Sequence, residues 1–500
     1  MKAAACLLAL ASAATYADTV PLDGLHQRIE IGLQGGLPVA WLSCATACDA
    51  APSAQGSRSL LRRGPGGGTL RFIVPGDAAA TAALNEIEYE VTTQATAERL
   101  SVVLRSRPSA AVPELVQRYD MDLRARTLTA MLQLPPRAGL ELTGGSDLVP
   151  ESFPGFGRIY SNARAVVVGA DGQDTIADLG DEPVIGRELP AAEWAGVRGR
   201  FWTLLLRADR PLRVDAVEAT ADAPQIIWHA ADDARGTLVL TLYGGPVAAT
   251  PLAEAAPELR NMLYAVLWTP LRWLSFGLQW ILDRWQDLVG VAWLAIVLLS
   301  LCVKLLMAPL IRVAERWQAD VNRIKSRLEP ELAAIRREFR GEEAHNRTLA
   351  VYRQHGVSHF YTFKSLAGFM IQIPVFIAAF DMLGENFRLG GEGFLWIVDL
   401  AAPDRLMALP AVLPFFGGHL NLLPLVMTLL TVLAARLQED ASLAPALRHG
   451  QRLRLYAMAG VFLVLLYTFP AGMVLYWTAN NFWHLLRVLW ERARSKGAGA

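Results

Sequence analysis

The sequence predicts a multi-domain membrane protein. An external β-sandwich is followed by an α-helical bundle of five transmembrane helices with a cytoplasmic helical hairpin. Three observations point there. Apolar residues make up 53% of the 500, but residues 18–250 hold no apolar run long enough to cross a bilayer, whereas 260–490 hold several. The first half reads as short β-branched and aromatic runs set apart by Gly, Pro, Asn and Asp. In the second half, Lys and Arg crowd into alternate loops, the asymmetry that orients membrane helices. Overall, 47 basic residues balance 47 acidic ones, so bulk charge gives no footprint for nucleic acid.

The N-terminus, MKAAACLLALASAATYADT, has one lysine, an apolar stretch from Ala3 to Ala14 and small residues before Ala17. Residues 1–17 read as a signal peptide cut after Ala17, or as a short N-terminal anchor. Either would export residues 18–250. Cys44 and Cys48 would then meet an oxidising compartment and are a disulfide candidate, although their spacing is weak evidence. Strands are expected at 69–75, 86–94, 99–107, 201–208 and 237–245, with two more turning near Arg124–Arg126. Many short strands over 18–257 predict one large β-sandwich domain. The glycine loop at 64–68 lacks the Lys-Ser/Thr of a phosphate-binding loop. His26 and His229 have no partner at metal-ligand spacing and read as structural.

Residues 258–290 place Trp268, Trp273, Trp280 and Trp285 among leucines and arginines, the pattern of an amphipathic helix lying in the membrane interface. Spans follow at 291–311, 363–383, 408–435, 455–470 and 472–490. The stretch 312–364 holds eleven bases, from Arg312 to Lys364. The stretch 384–407 holds only Arg388 and Arg405, while 436–454 and the tail from Arg487 hold four each. The loops at 312–362 and 436–454 and the tail 491–500 are therefore expected in the cytoplasm, and 18–257 and 384–407 outside. Within 312–355, Val321, Ile324, Leu328, Leu332, Ile335 and Phe339 recur at helical spacing, and Gly341 can turn the chain into a second helix. This is the expected hairpin.

Lys304 is a cation inside the first span, about 10 Å short of its cytoplasmic end. Snorkelling recovers part of that distance. A charge near the core otherwise costs about 2.5–3.5 kcal/mol, and no span offers an acidic residue at comparable depth. A water-filled cavity open to the cytoplasm is the favoured account, with snorkelling as the alternative. Ser300, one turn earlier, Gln372, and the cluster Tyr476, Trp477, Thr478, Asn480 and Asn481 could line that cavity. Each alone would read as a helix–helix contact.

Those residues also carry a resemblance. MIQIP (370–374), LWIVDLAAPD (395–404) and FPAGMVLYWTANN (469–481) resemble motifs of the YidC/Oxa/Alb membrane protein insertases, over residues 258–490. LYGGPVAATPLAEAAPEL followed by a Trp-rich helix resembles the end of the large periplasmic domain of Gram-negative members, a β-supersandwich. The resemblance implies an inner-membrane insertase and chaperone, not an enzyme. Its groove would carry Lys304 where the family has arginine, with Ser300, Gln372, Tyr476, Trp477 and Asn480. It implies nascent membrane proteins as clients, the Sec translocon and ribosome as candidate partners, the lipid bilayer as surroundings, and no cofactor, metal or specific nucleic acid. Lysine keeps the charge but not the bidentate fork of arginine. That change, the altered stretch 356–368 and the cleavable-looking N-terminus suggest a divergent paralogue. Two other functions compete. A small-anion or solute transporter would bind its anion at Lys304, but no internal repeat supports it. A carbohydrate-active external domain would need paired carboxylates in a cleft, and Glu86, Glu88 and Glu90 look like one solvated face.

Overall fold

The computed structural model describes residues 18–49, 56–107, 114–145, 147–149, 151–170, 172–177, 183–220, 223–229, 236–355, 361–438 and 445–497. The N-terminal signal or anchor at 1–17 lies outside them, as do 356–360 and 439–444. The chain forms two compact units. One comprises residues up to Ser152 together with Ser161–Leu263. The other comprises Phe153–Tyr160 together with the residues from Tyr264 onward.

The first unit is β-rich. In chain order its strands are β1 (Thr19–Asp23), β2 (Gln27–Gly32), β3 (Pro38–Cys44), β4 (Ser57–Leu61), β5 (Thr69–Ile73), β6 (Tyr89–Ala95), β7 (Arg99–Ser106), β8 (Val116–Asp122), β9 (Thr127–Gln133), β10 (Gly139–Thr143), β11 (Arg164–Gly169), β12 (Gly172–Ala177), β13 (Val184–Leu189), β14 (Trp194–Arg198), β15 (Trp202–Ala208), β16 (Leu212–Thr220), β17 (Ala223–His229) and β18 (Thr237–Pro246). Two short helices, α1 (Ala78–Asn85) and α2 (Ala249–Ala255), accompany them. A nine-stranded antiparallel sheet runs β12-β11-β14-β15-β18-β9-β8-β7-β6. Against it pack a four-stranded sheet, β1 to β4 in order, and a five-stranded sheet, β13-β16-β17-β10-β5. β3 and β4 meet β18 and β15, and β17 meets β11 and β14. The result is a two-layered sandwich.

Burial explains the patterning. β9 alternates buried and half-buried residues along its length, as expected of a strand with one face on the core. β15, in the middle of the large sheet, is buried on both faces. Its outer side is covered by the segment after α2, where Glu258 accepts from Arg207 at 2.6 Å and from the Trp194 indole at 3.0 Å. Gly244 lies flat on Trp41. A β-carbon there would sit 2.6 Å from the indole ring, and the Ser43 hydroxyl donates to the Gly244 carbonyl at 2.9 Å. The sulfurs of Cys44 and Cys48 are bonded. The Nε2 atom of His229 lies 2.7 Å from Asp215.

The second unit is helical: α3 (Thr269–Val289), α4 (Ala292–Glu338), α5 (Gly341–Gln354), α6 (Tyr361–Glu385), α7 (Leu422–Leu437), α8 (Pro445–Leu466) and α9 (Ala471–Gly497). α3 opens with Pro270, whose missing N–H costs nothing at a helix start. It closes on Gly290 at φ 67°, the left-handed cap that glycine takes without strain. Leu271, Ser275, Leu278 and Leu282 bury one face, while Trp273 and Trp280 on the other are 71% and 62% exposed. α4 runs unbroken for 47 residues through Pro309 and Pro330. The expected first span and the first arm of the expected hairpin are thus one rod, about 70 Å long. By length and composition α4 can cross a bilayer. α7 is apolar but has 16 residues.

One expected element differs. The apolar run expected to begin a span at 408 instead forms two strands, β19 (Met407–Leu413) and β20 (Gly417–Leu420), with the helix starting only at Leu422. Pro410 and Pro414 cannot sit inside a helix without losing hydrogen bonds. Phe415 and Gly417, at φ 71° and 83°, make the turn. Composition alone cannot separate such a run from a helix. The start of α7 is capped from afar, with the Asp404 carboxylate accepting from the backbone N–H of Leu422, at 3.0 Å, and of Leu423. Burial pushes the Asp404 carboxyl above its usual range, against the opposing pull of these donors.

Candidate functional site

α9 begins at the Pro470–Ala471–Gly472 turn. The N–H groups of Ala471 and Gly472, which a helix start leaves unsatisfied, donate at 2.7 Å to the carbonyls of Ala402 and Leu400. A β-carbon on Gly472 would press to 3.1 Å from that Leu400 carbonyl, so a small residue suits the position. Fixed this way, α9 packs against α4, α6 and α7. Asn481 ties it to α7 by donating to the Thr431 hydroxyl at 2.8 Å.

Between α4, α6 and α9 lies a cavity of about 340 Å³. Its polar lining includes Lys304, Gln372, Tyr476, Asn480 and Asn481, and Trp477 is an aromatic wall. Val303, Met307, Ile311, Val375 and Phe376 supply apolar walls. The Lys304 ammonium donates to the backbone carbonyl of Asn480 at 2.9 Å. A carbonyl has two lone pairs, so a helical one can take a second donor. One acceptor leaves two ammonium protons for water or a guest in the cavity. Trp477 stacks on Phe462, ring centres 5.0 Å apart, and meets Phe376 edge-on at 4.7 Å. These rings fix one wall while amides and an ammonium line another.

Five of the six residues expected in the groove meet at this cavity. Ser300 does not line it. Its hydroxyl is buried, donating to the Val297 carbonyl at 2.8 Å and accepting the Trp483 indole N–H at 3.1 Å. Sharing a helix face with Lys304 put it near, but its hydroxyl is engaged by Trp483 and Val297 instead. Sequence reasoning also missed the cavity's other end, where His484, Arg487 and Glu315 complete the lining. Arg487 grips Glu315 with two parallel hydrogen bonds, 2.8 and 2.9 Å, and adds Glu491 at 2.8 Å. Because Glu315 neutralises Arg487, the charge of Lys304 dominates the interior. The clue in the sequence was available: Arg487 and His484 follow Asn480 at helical spacing on α9.

Apolar helices enclosing a cation and several amides define an integral membrane protein with a polar internal cavity. Residues 285–497 match the family described as 60Kd inner membrane protein. A "Membrane protein insertase YidC" of Syntrophobacter fumaroxidans is 29% identical over 254 residues, covering 50% of this chain and 43% of that protein. The same name belongs to a Leptospira interrogans protein, 28% identical over 239 residues, covering 46% of this chain and 35% of its own. The similarity to these inner membrane proteins lies in the helical region of the chain. The matches span under half the length of either relative. A solved structure titled "Active YidC insertase crystal structure with the first transmembrane domain resolved" covers 94% of this chain and 92% of its own, at 15% identity and TM-score 0.36. At that score the likeness decides nothing.

Proposed function

We propose that the chain is a membrane protein insertase and chaperone of the bacterial inner membrane, a binding device and not an enzyme. One observation carries this reading. In the family-matched region, a lysine, two asparagines, a glutamine and a tyrosine share a cavity walled by apolar helices. A polar cavity inside a bilayer lowers the cost of drawing a hydrophilic tail through hydrocarbon. Lys304 attracts acidic residues on that tail, and Gln372, Tyr476, Trp477 and Asn480 offer hydrogen bonds and a stacking wall. Ser300 acts one step back, by holding Trp483. The client's apolar helix then leaves laterally into lipid.

The finer arrangement belongs to the same proposal. Residues 1–17 direct export, 18–257 form the periplasmic β-supersandwich, and 258–290 include the interfacial helix. Spans at 291–311, 363–383, 455–470 and 472–490, with α7 (Leu422–Leu437) as the third in chain order, make five, and the β19–β20 hairpin stays outside with 384–407. Residues 312–362 are a cytoplasmic hairpin, 436–454 a cytoplasmic loop and 491–500 a cytoplasmic tail, with 384–407 outside. Clients are nascent membrane proteins, with the Sec translocon and ribosome as partners. Reconstitution of the purified chain alone in vesicles, with a short-tailed single-span client, tests the reading. Protection of the client's span from protease supports it. Uptake of small anions with no client insertion would move the function to transport.

A further inference from the structure

A second polar cavity, of about 380 Å³, lies where α4, α5 and α8 meet, away from the groove. α4 contributes Gln318, Asn322, Lys325, Glu329, Leu332 and Arg336. These fall at alternating steps of four and three, one continuous helix face. At such a seam between packed helices apolar residues are the rule, and here five of six are polar or charged. α8 adds Gln451 and Arg454, and α5 adds Thr348 and Tyr352.

The charges do not balance. Lys325, Arg336 and Arg454 are positive, and Glu329 is the one negative group in the lining. Glu329 is taken by Arg336 at 2.8 Å. Among the described residues, Lys325 and Arg454 have neither an ion pair nor a side-chain hydrogen bond, and both line this cavity. Burial and the neighbouring Arg454 push the Lys325 ammonium below its usual range. Lys325 is half-buried and Arg454 exposed, so solvent screens part of their repulsion and an anion between them would relieve the rest.

We propose that this cavity binds a phosphate-bearing anion, held by Lys325 and Arg454 with Gln451 as a further donor. A headgroup-sized anion fits within a cavity of this volume. In the proposed orientation Arg454 is the last residue before the expected span 455–470, while Lys325 lies about 21 Å along α4 from the expected span end at Ile311, so the site opens at or beyond the cytoplasmic surface of the bilayer. Bases at that depth attract anionic lipids. Such an anion would bridge α8 to the α4–α5 pair and couple lipid composition to the hairpin's position.

The test uses the full chain in nanodiscs of equal phosphatidylglycerol and phosphatidylcholine. Bound lipid is counted by native mass spectrometry, and Lys325 is titrated with an amine-modifying reagent. The expected result is retention of phosphatidylglycerol over phosphatidylcholine, falling about fivefold for each charge removed in Lys325→Gln and Arg454→Gln. Arg323→Gln and Arg327→Gln, on the same helix but outside the cavity, should retain it unchanged. In the unsubstituted protein, phosphatidylglycerol should shield Lys325 from modification. Shielding in a phosphatidylcholine-only disc by millimolar inorganic phosphate would assign the site to a soluble phosphate. Equal retention in all four variants, or shielding of Lys325 only by an acidic peptide, would overturn the proposal.

Discussion

Lys304 donates to one carbonyl and faces a cavity, so its role should depend on charge more than on shape. Lys304→Arg is expected to keep insertion activity, and Lys304→Ala or Lys304→Glu to lower it. For clients with acidic tails the loss should be about tenfold, the equivalent of about 1.4 kcal/mol, because unlike charges attract strongly where the effective dielectric is below that of water. Clients with neutral tails should lose less. Equal insertion of every client by an abundant, folded Lys304→Ala would make the lysine a snorkelling passenger. The Arg487–Glu315 pair, by contrast, is 40% and 47% exposed. Breaking it with Glu315→Gln should cost under about 1 kcal/mol, read as a small shift in thermal unfolding. At this scale the sequence was legible where identity carries the chemistry. A lysine amid leucines and an amide in MIQIP declare themselves. The Arg487–Glu315 pair did not, because its halves are 172 positions apart and each alone reads as a solvated charge.

Elements that depend on close approach give sharper tests. Residues Phe153–Tyr160 belong to the helical unit, and a β-carbon on Gly384 of α6 would lie 2.3 Å from the Tyr160 ring. Gly384→Ala is therefore expected to destabilise the helical unit by about 1–3 kcal/mol, as overpacking does. The double variant with Tyr160→Ala should recover part of it, and thermal unfolding of both reads the difference. A loss unaltered by removing the ring would mean that the contact is not its cause. Nothing in the sequence marks 153–160 as part of that unit, since it sits between two strands of the sandwich. Helix and strand types were legible wherever a period was clean, as in α3 with its Trp-rich face and β9 with its strict alternation. Residues 408–420 failed that reading. Their apolar composition matched a span, and the backbone demands of Pro410, Pro414 and Gly417 decided otherwise.

For the whole molecule, the asymmetry of Lys and Arg predicts a topology that can be checked. A reporter fused after Ala500 should be active only in its cytoplasmic form, and one placed within 18–250 only in its exported form. The opposite pattern would sink the proposed orientation. N-terminal sequencing of the membrane-embedded protein should begin at Asp18. A start at Met1 would mean a retained anchor. The division into β-rich and helical halves was legible because hydropathy changes abruptly near 250–260. What hydropathy could not show is that α4 carries both Lys304 and one face of the second polar cavity. From Lys304 to Glu338 the same rod continues for about 51 Å. Swinging it by about 10° around the lysine would carry its far end through about 9 Å. Run in reverse, a push on α5 or on the end of α4 arrives at Lys304 as a small rotation of its side chain. The helix is therefore a lever, with a long arm running to Glu338 and a short one back to Ala292.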